Sequence, residues 1–132
     1  MAKAMVVDDS RAIRRILAGI LGEVGFEVCQ AANGREALEV LERERATDAI
    51  SLVLADWNMP EMNGLEFVQA LRADARNQSV KVMMVTTETQ IEQMLAALQA
   101  GANEYVMKPF TREVIEDKLR ILGLLPPSVG GA

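Results

Sequence analysis

The sequence predicts a doubly wound α/β domain in which five parallel strands alternate with five helices. Short apolar runs alternate with segments whose apolar residues recur at helical spacing. The apolar runs are continuous rather than alternating, which indicates strands that are covered on both faces. Regular alternation of strand and helix gives a parallel sheet with right-handed crossovers. The length of 132 residues suits one such domain.

Each predicted strand is a short apolar run that ends at polar residues. The runs lie at residues 4–7, 26–31, 51–55, 80–85 and 105–107. The third run ends on the carboxylate of Asp56, and Pro60 disfavours a helix directly after it. A charge at the end of a buried strand costs free energy unless something compensates it. The group that compensates the charge of Asp56 is therefore expected to indicate the function of the protein.

Capping residues and glycines mark the ends of the predicted helices. Ser10 is a suitable N-cap for the first helix, and Gly25 ends it. Asn33 and Gly34 lead into the second helix, and Gly101 ends the fourth. The apolar positions at helical spacing are Ile13, Ile16, Leu17, Ile20, Leu21 and Val24, then Ala37, Leu38 and Leu41, then Leu65, Val68 and Leu71, then Ile91, Leu95 and Leu98.

The fifth helix is predicted from about residue 111 to residue 122. Glycine and proline then stop the helix. We therefore expect one domain over residues 1–122 and a C-terminal tail over residues 123–132, with no room for a second domain.

Composition excludes several classes of function. The chain has no histidine, which removes histidine-based acid–base catalysis, triads and metal sites. The net charge of −5 and the lack of a long basic run argue against DNA binding. No apolar run approaches the ~18 residues that span a bilayer, and no signal peptide is evident, so no membrane association is expected. The single cysteine excludes an internal disulfide and favours a cytoplasmic location.

Polar side chains follow four of the five predicted strands. They are Asp8 and Asp9 after the first, Asp56 after the third, Thr86 and Thr87 after the fourth, and Lys108 after the fifth. In open α/β sheets, ligands bind beyond the carboxyl ends of the strands. Adjacent first and third strands would bring three carboxylates together, and such a cluster favours a hard divalent cation, Mg²⁺ above all.

A metal-bound carboxylate beside a lysine and a hydroxyl suits phosphoryl transfer. Asp56 could act as a nucleophile that forms an aspartyl-phosphate. Mg²⁺, Lys108 and Thr86 would then neutralise charge on the phosphoryl oxygens.

Each of these residues also has an ordinary structural explanation. Asp9 or Ser10 could only cap a helix, Lys108 could be a solvated loop charge, and Thr86 could fill a strand end. Their joint occurrence at the same edge of the sheet favours a functional site.

Four motifs occur in order along the chain: "VVDDS", "ADWNMPEMNG", "MMVTTE" and "AGANEYVMKPF". Over about residues 3–122 the sequence resembles the receiver domain of two-component response regulators, most closely the stand-alone chemotaxis type. The resemblance implies a flavodoxin-like sheet with strand order 2-1-3-4-5.

The resemblance implies a role for each residue at the acidic edge. Asp56 is the expected phosphoacceptor, and Lys108 the lysine that contacts the phosphoryl group. Asp9, Asp56 and the backbone carbonyl of Asn58 are the expected Mg²⁺ ligands, with Asp8 acting mainly through water.

The family also implies a switch and a lifetime for the phosphorylated form. Thr86 is the expected switch hydroxyl, and Tyr105 the aromatic ring that swings inward with it. Asn58 and Glu88 are expected to modulate dephosphorylation, and this pair resembles the short-lived chemotaxis type. The Lys108–Pro109 peptide bond is expected to be cis, against a base rate of ~5%.

Three positions depart from the family pattern. Asn63 stands where Asp is usual, but Asn also caps helices, so little change is expected. Thr87 stands where a smaller residue is usual, which could slow dephosphorylation. The "RERATDA" connection at residues 43–49 is longer than in close relatives and is expected to lie away from the site.

The resulting expectation is a monomeric single-domain response regulator rather than an enzyme that acts on other substrates. A sensor histidine kinase would phosphorylate Asp56, and the output would be protein binding. The expected output surface comprises the helix before Gly101, the Tyr105 strand and the last helix, with the flagellar motor switch as its target. The alternative within the family is a phosphate sink or phosphorelay intermediate.

Two other classes share features with this sequence. An FMN-binding flavodoxin needs a phosphate loop after the first strand, where Asp8 and Asp9 would repel phosphate. A phosphatase of the haloacid dehalogenase type places its nucleophile after the first strand within a D-x-D pattern, which is absent here. The arginines at positions 11, 14 and 15 could dock a kinase or could form a solvated helix face.

Overall fold

The computed structural model describes residues 2–87 and 90–126. The strands are β1 (Lys3–Val7), β2 (Glu27–Ala31), β3 (Ile50–Ala55), β4 (Lys81–Thr86) and β5 (Glu104–Met107). The α-helices are α1 (Arg11–Glu23), α2 (Gly34–Glu44), α3 (Gly64–Ala73), α4 (Ile91–Ala100) and α5 (Arg112–Ile121), and a 3-10 turn covers Ala75–Asn77. All five predicted strands and all five predicted helices are present, which confirms the predicted α/β class.

All strand pairs in the sheet are parallel, in the order β2-β1-β3-β4-β5. This confirms the predicted flavodoxin-like order. Val7 at the end of β1 is level with Ala31 of β2 and with Ala55 of β3. The residues that follow β1 and β3 therefore meet at one edge of the sheet.

Helices cover both faces of the sheet, and each face has its own apolar cluster. One cluster contains Phe67 of α3 and Ala97 of α4, and the other contains Leu17 of α1 and Ile115 of α5. The edge strand β2 differs from the continuous buried run that was predicted, since most of its side chains are exposed or half-buried. An edge strand has a neighbour on one side only, and the sequence run does not reveal this position.

Side chains cap four of the helices. The predicted cap Ser10 accepts a hydrogen bond from the Ile13 amide. Asn33, which was predicted only to lead into α2, accepts one from the Glu36 amide, and Thr111 caps α5 in the same way. Asn63 forms a reciprocal capping box with Glu66, with both hydrogen bonds at 2.9 Å. The expected capping role of Asn63 is confirmed.

The "RERATDA" connection lies at the amino end of β3, opposite the edge where Asp8 and Asp56 meet, as expected. Its Arg45 donates a hydrogen bond to Asn77 in the 3-10 turn at 3.2 Å and lies 3.8 Å from Asp74. The 3-10 turn itself was not predicted. The Asp74 side chain caps this turn by accepting the amide hydrogen of Arg76 at 3.0 Å, and the Asp74 carbonyl accepts the Asn77 amide at 2.9 Å.

The chain continues to pack after α5 ends. Gly123 adopts a φ of 77°, and the amide of Leu124 donates to the Leu119 carbonyl at 2.8 Å. Leu124 and Leu125 then pack against the cluster that contains Leu17 and Ile115. The remainder of the predicted tail, residues 127–132, lies outside the described residues. Among the described residues, no helix is long and apolar enough to cross a membrane.

Candidate metal centre

Three carboxylates converge at the carboxyl edge of the sheet. One oxygen each from Asp8, Asp9 and Asp56 can be chosen so that all three lie within 4.8 Å of one another. Asp8 and Asp56 are 1% and 6% exposed, whereas Asp9 is open to solvent. The register explains this convergence, because the amide of Asp56 donates to the Val7 carbonyl at 3.1 Å and so continues the β1–β3 pairing.

Lys108 brings a positive charge to two of these carboxylates. Its ammonium nitrogen lies 2.8 Å from Oδ2 of Asp8 and 3.2 Å from Oδ2 of Asp56. The amide of Lys108 donates to the Thr86 carbonyl at 2.9 Å, which extends the β4–β5 pairing to the same edge. The Lys108–Pro109 bond is cis, as predicted.

Burial and the hydrogen bond between Asp8 and Lys108 act in opposite directions on the pKa of each group. Burial raises the pKa of Asp8, and the hydrogen bonds from Lys108 and Ser10 offset only part of that increase. Burial lowers the pKa of Lys108, but the hydrogen bond to Asp8 and the charge of Asp56 outweigh it and raise the pKa overall. The ammonium of Lys108 contacts two carboxylates and Asp9 adds a third, so negative charge is in excess at this edge.

The donor set fits a hard divalent cation. All three side chains offer carboxylate oxygens, which Mg²⁺ prefers, and the small number of ligands leaves room for water. The uncompensated negative charge favours a cation at the same place. The residues present therefore match the metal that the sequence predicts.

Thr86 and Thr87 follow one another but differ in environment. Thr86 ends β4 and is fully buried, whereas Thr87 is exposed. Both lie at the edge where the carboxylates converge, as the sequence predicts. Glu88, the expected modulator of dephosphorylation, lies outside the described residues.

Tyr105 is 8% exposed and belongs to the apolar cluster that also contains Trp57 and Ala97. The structure therefore presents the inward position of the ring, which the sequence analysis assigned to the switched arrangement. Glu104 holds the strand at this point, because its carboxylate accepts hydrogen bonds from the Tyr105 amide at 3.0 Å and from Lys118 at 2.9 Å.

The loop after β3 places Asn58 beside the predicted phosphoacceptor. The amide of Asn58 donates to Oδ1 of Asp56 at 3.4 Å, and its side chain is exposed. Gly64 allows the loop to pass this close, since a Cβ at that position would lie 2.5 Å from the Asp56 carbonyl oxygen. The sequence analysis missed this role, although the Asn63–Gly64 pair before a helix is a recognisable signal.

Arg14 also lies at this edge, in a contact that neither sequence interpretation of the three arginines anticipated. Its guanidinium donates to the Asp8 backbone carbonyl at 2.6 Å and to the Gln30 side chain at 3.2 Å. The position of Arg14 near the start of α1, just beyond the acidic pair, was the available signal. Arg11 and Arg15, by contrast, are exposed on the same helix.

The family described as "Response regulator receiver domain" matches residues 4–120. The chain belongs to the response regulator receiver domain family. Two chemotaxis proteins are similar to this receiver domain along most of their length. It is 42% identical to chemotaxis protein CheY1 of Helicobacter pylori strain ATCC 700392 / 26695, covering 91% of this chain and 95% of that protein. It is also 42% identical to the chemotaxis protein CheY homolog of Campylobacter jejuni strain 81-176, covering 92% of each.

A solved structure supports the same assignment of the receiver domain. Chemotaxis protein CheY4 of Vibrio cholerae superposes with a TM-score of 0.83 at 37% identity, covering 92% of this chain and 98% of that chain. Receiver domains serve two-component signalling, exchange signals with a kinase and downstream targets, and typically bind Mg²⁺ at an acidic pocket. The Asp8, Asp9 and Asp56 group lies where such a pocket is expected.

Proposed function

We propose that this receiver domain is a chemotaxis-type, single-domain response regulator that accepts a phosphoryl group on Asp56 from a sensor histidine kinase. The observation that supports it best is the arrangement around Asp56. This carboxylate is buried at the end of β3, within reach of Asp8 and Asp9, and 3.2 Å from the ammonium of Lys108. The similarity to chemotaxis proteins of two bacteria supports the chemotaxis role.

In the proposed reaction, a carboxylate oxygen of Asp56 attacks the phosphorus atom of a phosphohistidine. A phosphorus–oxygen bond forms, the phosphorus–nitrogen bond breaks, and the imidazole leaves with the bonding electron pair and takes up a proton. Lys108 donates to a phosphoryl oxygen after exchanging its contact with Asp56 for one with the new group. Mg²⁺, held by Asp9, Asp56 and the Asn58 carbonyl with Asp8 through water, would supply charge neutralisation.

Dephosphorylation uses water as the nucleophile. Water attacks phosphorus and loses a proton, the bond between phosphorus and the Asp56 oxygen breaks, and the Asp56 carboxylate and inorganic phosphate are released. In this proposal, Asn58 and Glu88 lie on either side of the path of the attacking water. The domain thus catalyses its own phosphorylation and dephosphorylation and acts as a signalling protein.

The proposed output surface consists of α4, β5 and α5, and its target is the flagellar motor switch. Four apolar side chains on α4 and β5 are more exposed than is usual for their type: Ile91, Leu95, Leu98 and Met107. Exposed apolar residues grouped on neighbouring elements are typical of protein-binding surfaces. Thr86 and Tyr105 are the proposed link from the phosphoacceptor edge to this surface. Thr86 ends β4, and Tyr105 lies on the adjacent strand β5, level with Met84, two residues before Thr86. The cytoplasmic location and the monomeric state remain predictions.

The direct test is phosphorylation by a small phosphodonor. With Mg²⁺ and acetyl phosphate, intact-mass analysis should show one added phosphoryl group in the wild type and none in Asp56→Asn. The fluorescence of Trp57, which follows the phosphoacceptor in sequence, should change on addition of Mg²⁺ and again on phosphorylation. Turnover of an external phosphate ester at a catalytic rate would instead favour a phosphatase.

A further inference from the structure

Arg14 forms an unusual contact with the acidic edge, because it binds main chain rather than a carboxylate. Its side chain donates to the Asp8 carbonyl oxygen at 2.6 Å. Among residues 2–87 and 90–126, no carboxylate lies within ion-pair distance of Arg14, although three carboxylates converge beside the carbonyl that it binds.

Every polar atom of Asp8 has a partner. Its amide donates to the Ala31 carbonyl at 3.1 Å, and its carbonyl accepts from Arg14. Its two carboxylate oxygens accept from the Ser10 amide and from Lys108, both at 2.8 Å. Asp8 is thus fixed on all sides, and Arg14 supplies the restraint on its carbonyl.

Asp9 is held very differently. Its side chain is exposed and accepts no hydrogen bond within the part of the chain that the structure describes. The Asp8 carbonyl belongs to the peptide group that joins Asp8 to Asp9. Because that peptide group is planar, fixing its oxygen also fixes the amide nitrogen of Asp9 and the direction in which Asp9 leaves the strand.

Hydrogen bonds through the first turn of α1 complete the restraint on the Asp8 carbonyl. The amide of Arg14 donates to the Ser10 carbonyl at 3.0 Å, and the amide of Ser10 donates to the Asp8 carboxylate. The Arg14 guanidinium returns to the Asp8 carbonyl, while its Nε donates to Gln30 of β2 at 3.2 Å. The first turn of α1 and the ends of β1 and β2 are therefore joined by one side chain.

We propose that Arg14 is a positioning residue for the metal centre: by binding the Asp8 carbonyl, it orients the Asp8–Asp9 peptide and aims the Asp9 carboxylate at the metal. The proposal rests on the proposed function, because it requires that Asp9 bind Mg²⁺. Groups that orient metal ligands from outside the coordination sphere commonly change metal affinity by about 10- to 100-fold when they are removed.

Positioning and charge predict opposite results for one substitution. Arg14→Gln removes a positive charge from the neighbourhood of the site, so on electrostatic grounds alone it should strengthen Mg²⁺ binding. If Arg14 positions Asp9, the same variant should bind Mg²⁺ about 10-fold more weakly. Arg14→Lys keeps the charge and one donor group but loses the planar fork that reaches two acceptors, so its affinity should lie between those of Arg14→Gln and the wild type.

The experiment is a titration of each purified protein with Mg²⁺, followed by Trp57 fluorescence, together with thermal unfolding in EDTA. Arg15→Gln is the matched control, since Arg15 is the exposed neighbour on the same helix and its side chain has no ion pair or hydrogen bond among the described residues. Its Mg²⁺ affinity should equal that of the wild type. Arg14→Lys should fold like the wild type. If Arg14→Gln unfolds, the Mg²⁺ affinity of Arg14→Lys tests the proposal instead.

The possible outcomes separate the two proposals. Weaker Mg²⁺ binding by Arg14→Gln and, to a smaller extent, by Arg14→Lys supports the positioning role. Unchanged or tighter binding in both variants overturns it, even if their melting temperatures fall, and leaves the proposed function standing. Failure of the wild type and of Arg15→Gln to bind Mg²⁺ overturns the proposed function together with this inference.

Discussion

The ammonium of Lys108 donates a 2.8 Å hydrogen bond to Asp8, a residue 100 positions away in the sequence. This contact ties the end of β5 to the end of β1 across two intervening strands. It also places a cation within ion-pair distance of both buried carboxylates of the metal centre.

Replacement of Lys108 by Met should destabilise the protein by about 1–3 kcal/mol in EDTA, because it leaves Asp8 and Asp56 buried without a cation. Mg²⁺ should restore part of the loss. The pKa of Lys108 is raised above its ordinary value of 10.5, so its stabilising contribution is present below that pH and is lost as the pH rises through the raised value. Urea unfolding at neutral pH and above pH 11 should therefore show a difference between wild type and variant that shrinks at high pH. A difference that is constant or grows with pH would contradict this account.

Asp9→Asn should raise the melting temperature in EDTA, since it relieves repulsion among three carboxylates at an estimated gain of about 0.5–1 kcal/mol. In the wild type, Mg²⁺ at about ten times its Kd should add roughly 1.4 kcal/mol, and much less in the variant. Thermal unfolding with and without Mg²⁺ measures both effects. A variant that melts lower in EDTA and gains as much from Mg²⁺ as the wild type would show that the three acids do not form one metal site.

Thr86→Ala should still be phosphorylated, because Asp56, Lys108 and the metal ligands remain. It should lose phosphorylation-dependent binding to the motor-switch protein, because the buried hydroxyl that would follow the phosphoryl group is gone. Thr87→Ala is the matched control at an exposed neighbouring position. It should keep phosphorylation-dependent binding and lose its phosphoryl group faster than the wild type. Normal binding by phosphorylated Thr86→Ala would remove the switch while leaving the phosphoacceptor assignment intact.

Leu124→Ala should lower the free energy of unfolding by about 1–2 kcal/mol, because Leu124 packs against the apolar cluster beneath α1 and α5. Ile121→Ala, at a position that is 68% exposed, should change it by less than about 0.5 kcal/mol. Urea unfolding of the two variants compares them directly. Equal effects would mean that the folded domain ends at residue 122, the boundary predicted from the sequence.

Much of the acidic edge could be predicted because it depends on strand ends alone. A parallel sheet brings the carboxyl ends of its strands together, so Asp8, Asp56 and Lys108 could be placed at one edge from the sequence pattern. The strand order itself followed from the family resemblance. The starts of helices could be predicted equally well, because capping residues such as Ser10 and Asn63 accept hydrogen bonds from amides only three residues away.

The features that could not be predicted depend on long side chains or on close approach of the backbone. Arg14 and Arg45 reach acceptors that helical spacing does not identify, and Gly64 is required only because the Asp56 carbonyl lies so near. The exposure of β2 depends on its place at the edge of the sheet. The inward position of the Tyr105 ring reflects packing against residues from several elements, which no local pattern specifies.

The most direct test of the central claim is to locate the phosphoryl group chemically. Wild type treated with acetyl phosphate and Mg²⁺ is reduced with borohydride, which converts an aspartyl-phosphate to homoserine, and is then digested with trypsin. Fragmentation of the peptide spanning residues 46–72 should place the modification at Asp56 and leave Asp48 unmodified. Modification at another residue of the wild type, or equal labelling of Asp56→Asn, would contradict the assignment of Asp56 as the phosphoacceptor.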